Sequence, residues 1–399
     1  VFLIDPLLLY QLIDEKSRRL LKQRDLSPVR SMAMYREYCQ SFGKALDQEM
    51  AKQSYSISSI DGLDGSQRHF ANEFTLIDKT ILHIFYTKHR ECLQISVFHK
   101  RHDFLWLGAL PMDHIQSDDM SVSMDLHYGK HESAFDSFSL QSVKTAQNVS
   151  LLIPDKIIHF MSQYKSSKFI ECNYSLAKDF AHKHSQDLTE SRDMDNRVRD
   201  GLTALKTLTS KLLIPFFITS GTLLGWHRQC GVIPYTGDVD TGTWATYASV
   251  SLIDAFVHNN ESLELSYIYG FIENSLQFAM HSTLGLRIDM FFAYREGPNV
   301  TFTGHISERK AYFQYMYPDF ILCSAELVMH STLGLRIDMF FAYREGPNVT
   351  FTGHISERKA YFQYMYPDFI LCSAELVGLK VLVPCNPEAV ISAVWTGMV

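Results

Sequence analysis

One block of 49 residues occurs twice in tandem, letter for letter, as residues 280–328 and 329–377 (MHSTLGLRIDMFFAYREGPNVTFTGHISERKAYFQYMYPDFILCSAELV). This constrains the fold more than any other feature, because two identical strand patterns compete for one place in a sheet. Repeats that build solenoids or propellers come in threes or more, and they drift apart as each copy meets different neighbours. This pair is neither numerous nor diverged, so it reads as a duplication laid into a fold already complete with one copy. Taking one copy away from the 399 residues leaves 350 of unique sequence, which suits one large or two ordinary domains.

The chain is 46% hydrophobic and 20% charged, a globular balance. A formal charge of −7 and a pI near 6.2 give no basic footprint, which argues against nucleic acid or an anionic membrane surface as the main partner. No apolar run approaches the roughly 20 residues of a membrane span; the opening VFLIDPLLLYQLI is broken by Asp5 and Pro6. As written, the chain is expected to be soluble. No CxxC or Cys/His spacing suggests a structural zinc among Cys39, Cys92, Cys172, Cys230, Cys323, Cys372 and Cys385. Five of ten Asn residues open an N-x-S/T acceptor (Asn148, Asn173, Asn260, Asn299 and the copied Asn348), which favours a secretory lumen.

Two regions are expected. Residues 1–185 alternate short apolar runs with turns (TILHIFYTKH, CLQISVFHK, FLWLGALP) and read as an antiparallel sheet with a few helices, a mixed α/β domain without chemistry of its own. His99 and His102 there read as surface or strand-edge residues, since no third ligand follows at a useful spacing. The polar run HKHSQDLTESRDMDN marks the boundary. In residues 186–399, Met194, Val198, Leu202, Leu205, Leu208 and Leu212 recur at helical steps. Pro215 ends that helix, FFITSG reads as a buried strand and GTLLGWHR as a second helix, the skeleton of an α/β (α+β) domain.

Chemistry concentrates in SGTLLGWHRQCGVIPYTGDVDT, residues 220–241. Asp238 and Asp240 stand at i and i+2, so an extended backbone turns both carboxylates to one face and Val239 into the core. A lone D-x-D is weak evidence, and Asp193 with Asp195 reads instead as acidic residues at the start of the long helix. In LGLRIDMFF, alternation puts Leu286, Ile288, Met290 and Phe292 on one face and Asp289 on the other with Arg287 and Phe291. A buried-strand Asp is costly unless paired or metal-bound, which makes Asp289 a candidate third ligand. Asp338 is its duplicate, but Asp289 is preferred because ENSLQFAM can form a hairpin with its strand. The turn Ser220, Gly221 and Thr222 reads either as a phosphate-binding helix N-terminus or as an ordinary N-cap. Arg228 reads either as a fork for phosphate or as a surface residue.

These pieces, in order, resemble the fukutin and LicD-type transferase family: VFLIDP, LLIPDKIIHF, KFIECNY, PFFITSGTLLGWHRQCGVIPYTGDVDTG, LRIDMFF, YPDFILC and VLVPC. The resemblance implies a nucleotidyltransferase-like catalytic domain behind the sheet-rich N-terminal one. It implies transfer of ribitol 5-phosphate from CDP-ribitol to the O-mannosyl glycan of a dystroglycan-like glycoprotein, with Mg²⁺ or Mn²⁺ held by Asp238, Asp240 and Asp289. Ser220, Gly221, Thr222 and Gly225 of the G-T-L-L-G pattern, with Arg228, are implied at the donor. Fukutin-related protein and other Golgi glycosyltransferases are implied partners. The implied location is the luminal face of the Golgi membrane, reached through an anchor absent from this sequence. The alternatives are a catalytically impaired Golgi scaffold or glycan-binding member, and a metal-dependent hydrolase; the hydrolase is disfavoured because no water-activating histidine is read near either Asp motif in sequence.

Overall fold

A computed structural model describes residues 1–13, 29–68, 78–89, 91–111, 126–144, 148–184, 188–259, 261–306, 314–318, 342–345, 348–352 and 360–394. The chain divides into two compact units, Val1–Glu171 with Cys372–Lys380, and Cys172–Leu371 with Val381–Val399.

The first unit is built on a seven-stranded sheet of β1 (Phe2–Leu3), β2 (Val29–Tyr35), β3 (Ser56–Leu63), β4 (Lys79–Lys88), β5 (Glu91–Arg101), β6 (Phe104–Leu107) and β7 (Ser133–Asp136), with the path β1-β2-β5-β4-β3. Its pairs are antiparallel except β2 with β5, which run parallel, a departure from the all-antiparallel expectation. A parallel pair needs a long crossover, and helix α1 (Pro6–Ile13) and helix α2 (Cys39–Lys52) lie in the connections around β2. A hairpin of β8 (Leu140–Lys144) and β9 (Ser150–Pro154) and helix α3 (Ile157–Tyr164) follow. Phe2, Phe98, Tyr128, Phe135 and Phe160 form the main core. His99 is fully buried, with Nδ1 3.6 Å from Asp64 Oδ1, and is not the surface or edge residue expected of it. The reason is that β5 is a central strand. Arg101, also buried, forks onto Glu171 and bonds Glu375, so residues 372–380 belong here.

The sequence puts a boundary at 185/186, whereas the two compact units divide at 171/172. Helix α4 (Tyr174–Lys183) belongs with the second unit because Cys172 is disulfide-bonded to Cys230 and Phe180 stacks on Arg228 at 4.3 Å. The polar run that suggested a boundary joins α4 to helix α5 (Leu188–Leu212) inside that unit.

The second unit centres on another seven-stranded sheet. Its strands are β10 (Phe217–Ile218), β11 (Asp238–Trp244), β12 (Leu263–Tyr269), β13 (Gln277–Ser282), β14 (Arg287–Glu296), β15 (Asn299–Ile306) and β19 (Ala360–Pro367), in the order β10-β11-β14-β13-β12, with β15 joining β14 to β19. Helix α6 (Ser220–Gln229) follows β10, and α7 (Val250–Val257) precedes β12. Helix α5 buries Met194, Val198, Leu202, Leu205 and Leu208, the stripe expected from the spacing. At Gly201 it runs so close to the sheet that an added Cβ would lie 2.9 Å from Ile288 Cδ1.

The duplication resolves into one place in this sheet. First-copy residues supply the end of β13 and all of β14 and β15, and the second copy supplies β19. Asn299 pairs with Pro367 and Val300 with Tyr366. The leftover strands β16 (Gln314–Pro318), β17 (Ala342–Glu345) and β18 (Asn348–Thr352) pair among themselves as a separate three-stranded sheet. There Asn348 pairs with Pro318 and Val349 with Tyr317, the same register with the copies exchanged. Identical strand sequences choose identical partners, so the surplus strands between β15 and β19 in sequence pair with one another. Asp338, Asn260 and Cys323 lie outside the described residues.

Candidate active site

Strands β11 and β14 run parallel, and their register sets Asp238 beside Arg287 and Asp240 beside Asp289. Paired residues share a face, so three carboxylates and one guanidinium project together. Val239, Ile288 and Met290 go to the opposite, buried side. The carboxylates of Asp238, Asp240 and Asp289 offer oxygens that all lie within 4.8 Å of one another. The arrangement expected from i, i+2 spacing and strand alternation is therefore realised, with Asp289 as the third member. Asp193 and Asp195 lie on α5 but beyond its first turn, since the helix starts at Leu188 and not at the acids expected to open it.

Each acid is held by a different neighbour. Arg287 forks onto Asp289 through Nε at 3.0 Å and Nη2 at 3.1 Å. Thr236 Oγ1 donates to Asp238 Oδ1 at 3.2 Å. Asp240 is held by the first turn of α6: the Gly221 N–H donates to Oδ2 at 3.1 Å, while Thr222 Oγ1 accepts from the Asp240 N–H at 2.8 Å. Ser220 opens that helix at a φ of 45°, a left-handed conformation of the kind found where surrounding contacts over-determine the backbone. The Gly221 and Thr222 groups that were candidates for donor phosphate are thus engaged in positioning Asp240. A Cβ at position 221 would sit 3.5 Å from Asp240 Oδ2, an ordinary contact, so it is the Gly221 N–H that positions the carboxylate.

Charge in the row does not balance. Burial, then the charges of Asp238 and Asp289, push the Asp240 carboxyl well above the ordinary carboxylate range, against the pull of the Gly221 N–H and Arg287. Burial also raises Asp289, with Arg287 working the other way. Three carboxyl groups face one guanidinium, so a further cation would favour their charged forms.

Two expected donor residues are placed elsewhere. Arg228 lies in the last turn of α6, seven residues beyond Gly221 and so about 10 Å along the axis. Its guanidinium lies over the Phe180 ring and bonds the Gln229 side chain. Gly225 faces the turn after the helix, where a Cβ would meet Gly231 O at 2.9 Å and Ile233 Cγ1 at 3.1 Å, so it serves packing. Conversely, sequence reasoning passed over Arg287 as a site residue, although its spacing from Asp289 was the available signal. It also passed over His281, which pairs with Arg287 in the sheet and has Nδ1 2.7 Å from Ser266 Oγ.

Residues 1–199 match the family model described as Fukutin N-terminal, and residues 213–321 match that of the LicD/FKTN/FKRP nucleotidyltransferase domain. The chain is a fukutin-type protein. The second fukutin-family match contains Asp238, Asp240 and Asp289 and ends before the second copy begins. The chain is 33% identical over 234 residues to proteins named Ribitol-5-phosphate transferase FKTN from Macaca fascicularis and Homo sapiens, and over 233 residues to that of Mus musculus. Each alignment covers 58% of this chain, which spans about half (50%) of the length of these fukutin relatives.

Proposed function

We propose that the chain is a metal-assisted transferase moving ribitol 5-phosphate from CDP-ribitol to the O-mannosyl glycan of a dystroglycan-like glycoprotein. The observation that carries this reading is the carboxylate row, three acids with oxygens within 4.8 Å of one another, in which burial and the neighbouring acids disfavour the charged form of Asp240. An all-oxygen set suits a hard cation, and opposite ligands of Mg²⁺ stand about 4.2 Å apart, twice its ~2.1 Å bond, so the row fits Mg²⁺ or Mn²⁺ with small adjustment. Asp238, Asp240 and Asp289 would hold the ion, which supplies neutralisation of phosphate charge. The α6 N-terminus fixes Asp240, and Arg287 fixes Asp289. The acceptor hydroxyl oxygen forms a bond to the ribitol-phosphate phosphorus, its proton passes to a base, and the bond to the cytidylate oxygen breaks as CMP leaves with the electron pair.

The names of the fukutin relatives support the transferred group. The Cys172–Cys230 disulfide and the exposed acceptors Asn148 and Asn173 support an oxidising secretory lumen, in keeping with a Golgi location at the membrane. Among the described residues no helix is long and apolar enough to cross a membrane. Incubating the full chain with CDP-ribitol, Mg²⁺ and a phosphorylated O-mannosyl acceptor tests the reading. CMP release that requires acceptor is expected. Release without acceptor would indicate hydrolysis, and no release alongside glycan binding would indicate the scaffold.

A further inference from the structure

The site extends across the sheet beyond the acids. One row runs Asp240, Asp289, Ala279 and Tyr267 on β11, β14, β13 and β12. Residues directly opposite in a ladder share a face, so Tyr267 stands on the same face as the carboxylates. At about 4.8 Å per strand it lies roughly 10 Å from Asp289. The intervening residue is alanine, which leaves that part of the row low. Tyr267 is 56% exposed, and its ring stacks on that of Tyr269, centroids 5.7 Å apart and planes within 18°. Tyr269 itself is buried, and its phenol is among the groups whose field reaches Arg287. The carboxylate-bound guanidinium and the aromatic pair thus lie within electrostatic reach of one another.

We propose that Tyr267, backed by Tyr269, is the stacking platform for the base of a nucleotide whose phosphates lie at Arg287 and the carboxylate row. The proposal rests on the transferase reading and names where its donor sits. A nucleotide is charged at one end and presents a flat π face at the other, and the row offers matching groups at a comparable separation. A lone exposed tyrosine would be unremarkable on any surface. Here stacking on a buried second ring holds the exposed one in a fixed orientation beside the charged groups. In-line transfer also places acceptor and leaving nucleotide on opposite sides of the phosphorus. The α6 N-terminus already closes on Asp240 from its own side, which leaves the β12 side for the nucleotide. Stacking is tolerant of base identity, so the platform selects nucleotides over other phosphates and does not choose cytosine over uracil.

Calorimetric titration of the full chain in Mg²⁺ with CMP and, separately, with pyrophosphate tests this. Tyr267→Ala is expected to weaken CMP binding roughly tenfold, the loss typical of one stacked base, and to leave pyrophosphate binding unchanged; Tyr267→Phe is expected to bind CMP like the wild type. Unchanged CMP affinity in Tyr267→Ala, an equal loss for both ligands, or no CMP binding by the wild type overturns the proposal. A wild type that binds CMP with this pattern yet transfers nothing refutes the transferase reading alone. A wild type that transfers, with CMP affinity indifferent to Tyr267→Ala, refutes the platform alone.

Discussion

Because the two copies are identical, deleting any 49-residue window between residues 280 and 377 yields one and the same 350-residue chain. In the full chain β15 ends at Ile306 and β19 begins at Ala360, so the connection spans residues 307–359, 53 residues. After deletion Ala311 takes the place of Ala360, and the connection shortens to the four residues SERK, an ordinary hairpin length. Loop-closure entropy scales as (3/2)RT ln n, so shortening from 53 to 4 residues relieves about 2 kcal/mol. The lost β16–β18 sheet offsets little of this, since a small isolated sheet is marginal in water. For a unit near 200 residues that gain raises the melting temperature by roughly 4–8 °C. Differential scanning calorimetry of the two chains reads the shift directly. A lower melting temperature for the shortened chain, or loss of its divalent-cation binding, would refute the reasoning and give the second copy a strand that the fold requires.

Other consequences follow from the same contacts. Arg287→Gln removes the fork from the buried Asp289 while Arg287 itself is 35% exposed, so the cost is expected near the low end for a buried pair, about 3 kcal/mol by denaturant melts. A stability change below ~0.5 kcal/mol would mean solvent already screens the pair. Cys230→Ser opens a 58-residue crosslink that ties α4 to the end of α6, and loop entropy predicts a loss of about 4 kcal/mol in the second unit. In the absence of metal, Asp240 and Asp289 have folded-state affinities for protons raised above the unfolded values. The folded state then holds more protons than the unfolded chain, so these acids favour folding most below the ordinary carboxylate range, and that contribution is lost as pH rises through the raised folded values. Metal-free Asp240→Asn is accordingly expected to melt higher than wild type at neutral pH, with the difference closing as pH falls; a lower neutral-pH melt would contradict the charge imbalance.

Local pattern reached far into this site. The i, i+2 spacing of Asp238 and Asp240 and the alternation around Asp289 each placed a carboxylate on the correct face, because strand periodicity is a property of neighbouring residues alone. The apolar stripe from Met194 to Leu208 likewise announced α5. What pattern could not supply was pairing between distant segments. Asp240 meets Asp289 only through the parallel register of β11 and β14, and the same register turns Arg287 from a strand residue into a site cation. The role of Gly221 was half legible: its freedom at a helix start was evident, but its partner is a carboxylate 19 residues on and not a ligand. Arg228 was left open between phosphate fork and surface residue, because spacing in sequence does not tell that it stands in the last turn of α6 against Phe180. The polar run near residue 185 is ambiguous for a related reason, since a loop between two helices of one unit has the same composition as a linker.

The most direct test is calorimetric titration of Mn²⁺ into the full chain and its Asp240→Asn variant at neutral pH. The carboxylate row predicts one ion per wild-type chain and loss of that ion in the variant, with Asp193→Asn binding like wild type. Equal binding by wild type and Asp240→Asn would contradict the assignment of a metal centre to Asp238, Asp240 and Asp289.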